Sequence, residues 1–333
     1  MKPGAPDRIQ EHDANTRDPS PHGRPPGAAR STAYPPRDPM QAASLDSNVL
    51  NRWQPLGEHD PTDLVAARLQ LHWAAQLVSA VGTTLLPPAA DDSHTNLEWL
   101  AVPGVLAGRL TTDTPRCRAA LCPADLTLHV LDERGTSASQ RRLDGLTFSQ
   151  GMVWLEQEIA AFTERPLAKP LRRRELDLPD HPVAHGKPFA LTDPSAFAEL
   201  ARWYADADGV LRVMSEPTAS ASPVRCWPHH FDIATLATLP QAPGRDAPRT
   251  IGIGMSPGDT SYGEPYWYVT PWPYPPDARL PALRDGHWHR TGWCGAVLTG
   301  SLLVASGAAP SQACRTYSFL HSAVEMCRAL LDE

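Results

Sequence analysis

Residues 294–331 have the sequence CGAVLTGSLLVASGAAPSQACRTYSFLHSAVEMCRALL, in which an apolar run is followed by an amphipathic segment. The run from Cys294 to Val304 predicts a buried strand, and Gly300-Ser301 is expected to turn it back on itself. Pro310 opens a helix whose apolar residues alternate spacings of four and three: Ala313, Tyr317, Leu320, Val324, Cys327 and Leu331. This stripe predicts a helix that packs on a sheet.

The same patterns occur throughout the chain upstream of this stretch. Helices are expected from Asp60-Pro61 to Gly82, around 152–162, and from Asp193-Pro194 to Gly209. Strands are expected at 126–131 with a hairpin return through 142–148, and at 250–255, 266–270 and 287–289. Because the strands cluster apart from the helices, the predicted class is α+β, with a mainly antiparallel sheet and flanking helices.

Residues 1–45 differ from the rest in composition. They hold nine prolines among Arg, Asp, Gly and Ser, and almost no large apolar side chains. Such a segment cannot bury enough apolar surface to offset the entropy of ordering. We therefore predict a disordered, Pro-rich tail over residues 1–45 and a single α+β domain over residues 46–333.

Composition excludes several classes of function. The 333-residue chain has a net charge of -7, whereas binding to a nucleic-acid backbone needs a basic surface. No run approaches ~18 consecutive apolar residues, so no membrane span is expected. The first 40 residues lack the apolar core of a signal peptide. The six cysteines form no C-x-x-C pair, which favours a cytoplasmic protein with reduced thiols.

Several short motifs follow one another in a fixed order. They are Ser222-Pro223-Val224, then Trp227, then Phe231-Asp232-Ile233-Ala234, and later Ser256-Pro257-Gly258 before an aromatic strand. Over roughly residues 50–280 this order resembles a family of uncharacterised bacterial proteins that carry a domain of unknown function. The family core is S-P-V…W…F-D-[LI]-A. The resemblance implies a bacterial, cytosolic protein and supplies no activity.

Two histidine-containing segments suggest a metal site. On a strand, His287 and His289 point to one face with their Cα atoms about 6.5–7 Å apart. His230 and Asp232 have the same spacing, so neighbouring strands could bring together four ligands for zinc, iron or manganese. Such an ion would activate water for hydrolysis. Alternatively, Trp288 faces the core, His287 and His289 are ordinary outward polar residues, and Asp232 caps a helix.

An aromatic segment suggests a ligand-binding surface. Six tyrosines and tryptophans fall between positions 262 and 274, and Tyr266 and Tyr268 share one face of a strand. Rings with polar tips suit a planar or sugar-like ligand. The candidate ligand-binding residues are Trp227, His229, Tyr266, Tyr268 and Trp272. The alternative is an aromatic-rich core beside a proline-packed edge strand.

Residues 254–258 match G-x-S-x-G, with Ser256 as the nucleophile and Asp285 and His287 following in order. Glycines and a proline interrupt the helix that a nucleophile elbow needs, so a simple turn is the alternative. Three functional hypotheses follow, each with a small-molecule ligand. The leading one is a pocket with a metal-dependent, hydrolase-like site. The others are a non-enzymatic binding or interaction module using residues 262–274, and a serine hydrolase.

Overall fold

The computed structural model describes residues 52–216, 220–240 and 248–332, and the predicted tail over residues 1–45 lies outside them. The described residues belong to one compact unit. Within these ranges there are five α-helices: α1 (Val65–Leu85), α2 (Phe148–Thr163), α3 (Pro194–Ser215), α4 (Gly300–Val304) and α5 (Ala309–Asp332).

The strands form two antiparallel sheets, which confirms the predicted α+β class. The first sheet has the order β1-β2-β3-β4-β5, with β1 (Glu98–Leu100), β2 (Val105–Ala107), β3 (Cys117–Cys122), β4 (Thr127–Asp132) and β5 (Ser137–Arg142). The second has the order β10-β11-β9-β8-β7-β6, with β6 (Arg225–Trp227), β7 (Asp232–Thr238), β8 (Thr250–Ser256), β9 (Tyr266–Trp272), β10 (His287–His289) and β11 (Gly295–Thr299).

The helices begin where capping residues predict. The Asp60 carboxylate accepts a hydrogen bond from the Thr62 amide at 2.9 Å, in a 3-10 turn that leads into α1. Thr147 and Gln150 form a reciprocal capping box at the start of α2. The Asp193 carboxylate caps α3, as expected from Asp193-Pro194.

Two predicted helix ends are wrong, because the glycines lie inside their helices. At Gly82 a Cβ atom would lie 2.1 Å from the carbonyl oxygen of His94, so the missing side chain allows close backbone packing within α1. At Gly209 the space over the helix is open, and α3 continues to Ser215. Glycine therefore does not mark a helix end at either position.

The structure also differs from two of the predicted strands. The predicted run from Cys294 to Val304 splits into β11 and α4, and the Thr299 hydroxyl accepts a hydrogen bond from the Leu302 amide at the junction. The strand that returns after β4 is β5, at Ser137–Arg142. The predicted return at 142–148 is therefore wrong, because the strand begins five residues earlier in the sequence. Among the described helices, none carries an apolar stretch that could cross a bilayer.

Two helices cover one face of each sheet. Helices α1 and α2 pack on the first sheet, while α3 and α5 pack on the second, and their apolar faces form the core. The two sheets meet where the backbone groups of Leu97 and Cys226 exchange hydrogen bonds of 2.9 and 2.8 Å. The remaining edge strands are β5, of which five residues of six are exposed, and the three-residue β10.

The second sheet has one covered and one open face, because side chains alternate along each strand. Its covered face carries buried apolar residues such as Ile233, Ile253, Met255, Trp267 and Leu298. The open face carries a different set: Asp232, Gly252, Gly254, Ser256, Tyr266, Tyr268, His287, His289 and Gly295. The sequence-predicted site residues on β7, β9 and β10 thus lie on the open face.

Candidate functional site

Six rings pack together on the open face of the second sheet. They belong to Tyr262, Tyr266, Tyr268, His287, His289 and Trp293, which together are called the aromatic face. Centroids of contacting rings lie between 4.2 Å, for His289 and Trp293, and 6.4 Å, for Tyr268 and Trp293. Tyr266 is buried, His287 is exposed and the other four are half-buried. The face therefore presents ring surface to solvent on a rigid sheet.

Glycines on the strands explain why these rings lie flat against the sheet. A Cβ atom on Gly254 would lie 2.5 Å from both Cζ and the hydroxyl oxygen of Tyr268. A Cβ atom on Gly295 would lie 2.6 Å from the indole of Trp293. Each glycine thus leaves the space that a ring fills, which is a packing reason for glycine inside a strand.

A hydrogen-bonded chain joins the two histidines through Tyr262. Nε2 of His289 donates to the carbonyl oxygen of Thr291 at 2.7 Å, and its Nδ1 lies 3.0 Å from the Tyr262 hydroxyl oxygen. The same hydroxyl oxygen lies 2.8 Å from Nε2 of His287. Because a hydroxyl carries one proton, Tyr262 donates to one of the two rings and accepts from the other.

Two carboxylates accept from the other tyrosines. The Tyr266 hydroxyl donates to Asp259 at 2.6 Å, and the Tyr268 hydroxyl donates to Asp232. Burial raises the pKa of Asp232, and the nearby charge of Asp259 raises it further. Burial also raises the pKa of Tyr266, to which Asp259 adds. The hydroxyl tips of both tyrosines are thus fixed, while the half-buried ring of Tyr268 remains partly available for contact.

Arg68 reaches this region from α1. It is buried, and one of its terminal nitrogens lies 2.3 Å from where a Cβ of Gly258 would be. Burial lowers the pKa of this guanidinium, and the charge of Asp259 opposes that effect. The positive φ of 108° at Gly258 also requires glycine there. Arg68 therefore supports the loop that carries Asp259.

The predicted metal ligands do not form one metal-binding group. Among the described residues, no set of three or more His, Cys, Asp or Glu side chains is placed to hold an ion. His287 and His289 do share a face, but both nitrogens of His289 are used by Tyr262 and Thr291. Asp232 binds Tyr268 through one oxygen. The geometry thus gives no support to a hydrolytic metal centre at these four residues.

Trp227, His229 and His230 form a separate group at the turn between β6 and β7. The rings of Trp227 and His229 lie 6.1 Å apart, and those of His229 and His230 lie 4.3 Å apart. This turn leads into a strand from Asp232, so the alternative in which Asp232 caps a helix is wrong. Sequence-predicted ligand-binding residues therefore divide between this turn and the aromatic face.

Two helices hold that turn in place. Nε2 of His72 and the side-chain amide of Gln76, both on α1, donate to the Pro228 carbonyl oxygen at 2.9 and 2.7 Å. The Tyr204 hydroxyl on α3 donates to the Phe231 carbonyl oxygen at 2.5 Å. Phe231 has a φ of 58°, which a non-glycine residue keeps only when its surroundings impose it. The turn is therefore rigidly clamped.

Trp272 lies at the far end of β9. It is 51% exposed and packs against Tyr274, with ring centroids 5.1 Å apart. Both residues follow the Tyr266 and Tyr268 pair in the sequence, and their exposed, contacting rings form a second aromatic patch. Of the five candidate ligand-binding residues, the structure groups only Tyr266 and Tyr268 in the aromatic face.

Ser256 is not arranged as a nucleophile elbow. It is 4% exposed, its hydroxyl accepts from the Gly258 amide at 3.2 Å, and a loop follows it instead of a helix. Asp285 binds Arg315 through both oxygens, at 2.6 and 2.7 Å. His287 is bonded to Tyr262. The two sequence-predicted partners of Ser256 are therefore engaged elsewhere.

Sequence reasoning placed the segment 287–293 in the predicted cleft without naming Trp293 as a site residue, and it missed Arg68. Trp293 precedes β11 by two residues, and the glycine at 295 is the sequence signal for a large ring lying over the strand. Arg68 falls four residues after Leu64, on the apolar stripe of α1, where a charged residue is unexpected. This charged residue among apolar ones was the sequence signal that could have identified Arg68.

Comparisons of the chain with protein-family models, with curated proteins and with solved structures found no match. The resemblance to the family with a domain of unknown function stays a prediction. Function is therefore inferred from the geometry of the site.

Proposed function

We propose that the chain is a binding module whose aromatic face holds a neutral ligand with a sugar-like ring. The observation that carries this proposal is the packing of six rings on the open face of a sheet, with all but Tyr266 at least partly accessible. Rigid aromatic surface of this kind gives large contact area with little loss of side-chain freedom.

The fixed polar tips support this proposal. Tyr262, Tyr266 and Tyr268 each hold their hydroxyl in a hydrogen bond, so their rings are oriented before a ligand arrives. Pre-organisation reduces the entropic cost of binding. The strand glycines add to this pre-organisation, because they let the rings pack directly against the backbone.

The charges beside the face favour a neutral, hydroxyl-bearing ligand. Asp259 is exposed at its edge, where its carboxylate oxygens are hydrogen-bond acceptors. Sugar hydroxyls are donors that such acceptors bind, while the C–H face of a sugar ring packs on a phenol or indole. Asp259 and Asp232 would repel an anion, which argues against acidic sugars.

Titration calorimetry with a panel of neutral mono- and oligosaccharides tests this proposal. We expect at least one sugar to bind wild type and Trp293→Ala to weaken it about tenfold or more, as loss of a central aromatic anchor does. Trp272→Ala is the matched control, since it removes an exposed indole at the end of β9, outside the face. Absence of binding, or equal loss in both variants, would contradict the proposal.

A second candidate function is hydrolysis of a glycosidic bond. Asp232 is buried with a raised pKa, and Asp259 lies close enough to influence it. A carboxyl group with a raised pKa and a second carboxylate beside a ring-binding surface are what such a reaction requires. Release of 4-nitrophenol from nitrophenyl glycosides, lost in Asp232→Asn, would favour this candidate. No release from any glycoside would favour the binding module.

The six cysteines are all free, which supports the predicted cytoplasmic location. The net charge of -7 supports a ligand other than nucleic acid.

A further inference from the structure

A groove of about 550 Å³ lies where the two sheets meet, and its lining residues are all different from those of the aromatic face. Three of its charged residues come from strands: Glu98 from β1, Arg118 from β3 and Arg225 from β6. The fourth, Arg109, lies in the loop after β2. The junction of the sheets therefore brings three arginines around one carboxylate.

The carboxylate of Glu98 engages two of these arginines. Its Oε1 accepts a hydrogen bond from Nη1 of Arg118 at 2.6 Å, and its Oε2 lies 3.4 Å from Nη1 of Arg225. The side chains of Arg118 and Arg225 are 11% and 15% exposed, so each is held in the wall of the groove. Glu98 thus orients both guanidiniums but balances only one of their two charges.

Arg109 adds a third positive charge to the groove. It is exposed, and no described residue forms a hydrogen bond or an ion pair with it. Burial lowers the pKa of Arg225, Glu98 opposes this effect, and the nearby charge of Arg109 lowers that pKa further. Arg212 and Asp208, which also lie near Arg225, form an ion pair at 2.8 Å and cancel each other. The lining therefore carries an excess of two positive charges.

The groove also offers accessible donors that no described residue uses. Nε and Nη2 of Arg225 make no hydrogen bond in the described part of the chain, and neither is enclosed, in contrast to Nε of Arg118. The Ala89 amide donates to Nδ1 of His94 at 3.2 Å, so this ring carries its hydrogen on Nε2. That Nε2 and the hydroxyl of Ser93 are likewise accessible and unbonded among the described residues. An anion can thus reach these donors without displacing a described hydrogen bond.

We propose that this groove binds a small phosphate monoester, whose phosphate oxygens accept hydrogen bonds from Arg109, Arg225 and His94. Such a group carries about −1.5 to −2 charge at neutral pH, which matches the excess of two positive charges. The planar N–H groups of arginine also suit phosphate oxygens.

The rest of the groove suits the organic part of the ester. Its apolar lining consists of Leu86, Pro87, Ala89 and Leu110. A volume of about 550 Å³ is typical of a site for a small molecule. The organic part therefore packs on apolar side chains while the arginines hold the phosphate.

Titration calorimetry on the full chain with phenyl phosphate and glycerol 3-phosphate tests this inference. We expect at least one ester to bind, and the matching sulfate ester, which has the same organic part and one negative charge, to bind at least tenfold more weakly. Inorganic phosphate should also bind more weakly, because it leaves the apolar lining uncovered. No binding of either phosphate ester at millimolar concentration, or equal binding of the sulfate ester, would overturn the proposal. Tighter binding of inorganic phosphate or of succinate would overturn the assignment to a phosphate ester.

Substitution of Arg109 locates the site. Arg109→Gln should leave the melting temperature near that of wild type, because the residue is exposed and has no described partner, and should weaken binding of the ester about tenfold or more. Arg116→Gln is the matched control, since it removes an equal charge from an exposed ion pair with Glu133 outside the groove. This control, and Trp293→Ala on the aromatic face, should bind the ester as wild type does. Unchanged binding in Arg109→Gln, or an equal loss in either of the other two variants, would refute the proposal.

Discussion

The packing of Tyr268 on Gly254 predicts a large cost for adding one methyl group. In Gly254→Ala the new Cβ would lie 2.5 Å from the ring and 2.9 Å from the Cβ of Ala234, so the ring must move. Overpacking of this kind costs about 1–3 kcal/mol. Displacing the hydroxyl from Asp232 removes a hydrogen bond to a buried carboxylate, worth about 1.5–3 kcal/mol.

The backbone effect of the substitution acts in the opposite direction. Alanine inside a strand gains about 0.5–1 kcal/mol over glycine, so the net loss in free energy of unfolding is about 2–5 kcal/mol. Urea unfolding at neutral pH, followed by circular dichroism, measures this loss directly. Gly209→Ala is the control, since the open space there predicts a gain of about 0.5–1 kcal/mol.

A double-mutant cycle separates the clash from other effects. If Tyr268 is the main cause, Gly254→Ala should cost less in a Tyr268→Ala background, because the ring is gone and only the contact with Ala234 remains. A Gly254→Ala variant as stable as wild type, or an equal cost in both backgrounds, would refute the packing described for the aromatic face.

Four further predictions concern protonation, thiols, the serine and metal. Burial raises the pKa of Asp206 from 3.8 to about 8, so between these pH values the folded state holds a proton that the unfolded state has lost. The free energy of unfolding therefore falls as pH rises from 4 to 8, by on the order of 5 kcal/mol. The free energy of unfolding of Asp206→Asn, from urea unfolding, should fall less steeply over this pH range than that of wild type, and an unchanged slope would contradict the burial of Asp206. Ellman's reagent should label exposed Cys314 fast, whereas buried Cys226, whose pKa is raised, should react only after unfolding. A fluorophosphonate probe should leave Ser256 unlabelled, because its predicted partners are bonded elsewhere. Elemental analysis of tag-free protein should find zinc, iron and manganese well below one ion per chain, since both nitrogens of His289 are occupied.

Local signals in the sequence were sufficient for most of the fold. The cap at Asp193-Pro194 and the alternating stripe of α5 each correspond to a helix in the structure. The alternation in β9 correctly placed Tyr266 and Tyr268 on one face. Caps and periodicity act within a few residues, so they can be recognised without knowing the rest of the chain.

The predictions that the structure does not support concern contacts between residues far apart in the sequence. Gly82 resembles a helix end, but its role is to admit the backbone of His94, which no local pattern shows. The His287 and His289 pair has metal-ligand spacing, yet Tyr262, 25 residues from His287, supplies the partner that occupies both rings. Spacing predicts which side chains share a face, and only the fold decides what they meet there.

The joined sheets have a consequence for how copies of this protein meet. Pairing at Leu97 and Cys226 joins one edge of each sheet, which leaves β5 and β10 as the edge strands among the residues that the structure describes. β10 is only three residues long, and β5 presents the hydrophilic sequence SASQRR. A short edge strand such as β10, and one that carries arginines such as β5, are poor templates for the addition of a strand from another molecule. The chain can thus keep a flat aromatic surface on one sheet while resisting fibrillar self-assembly along its borders.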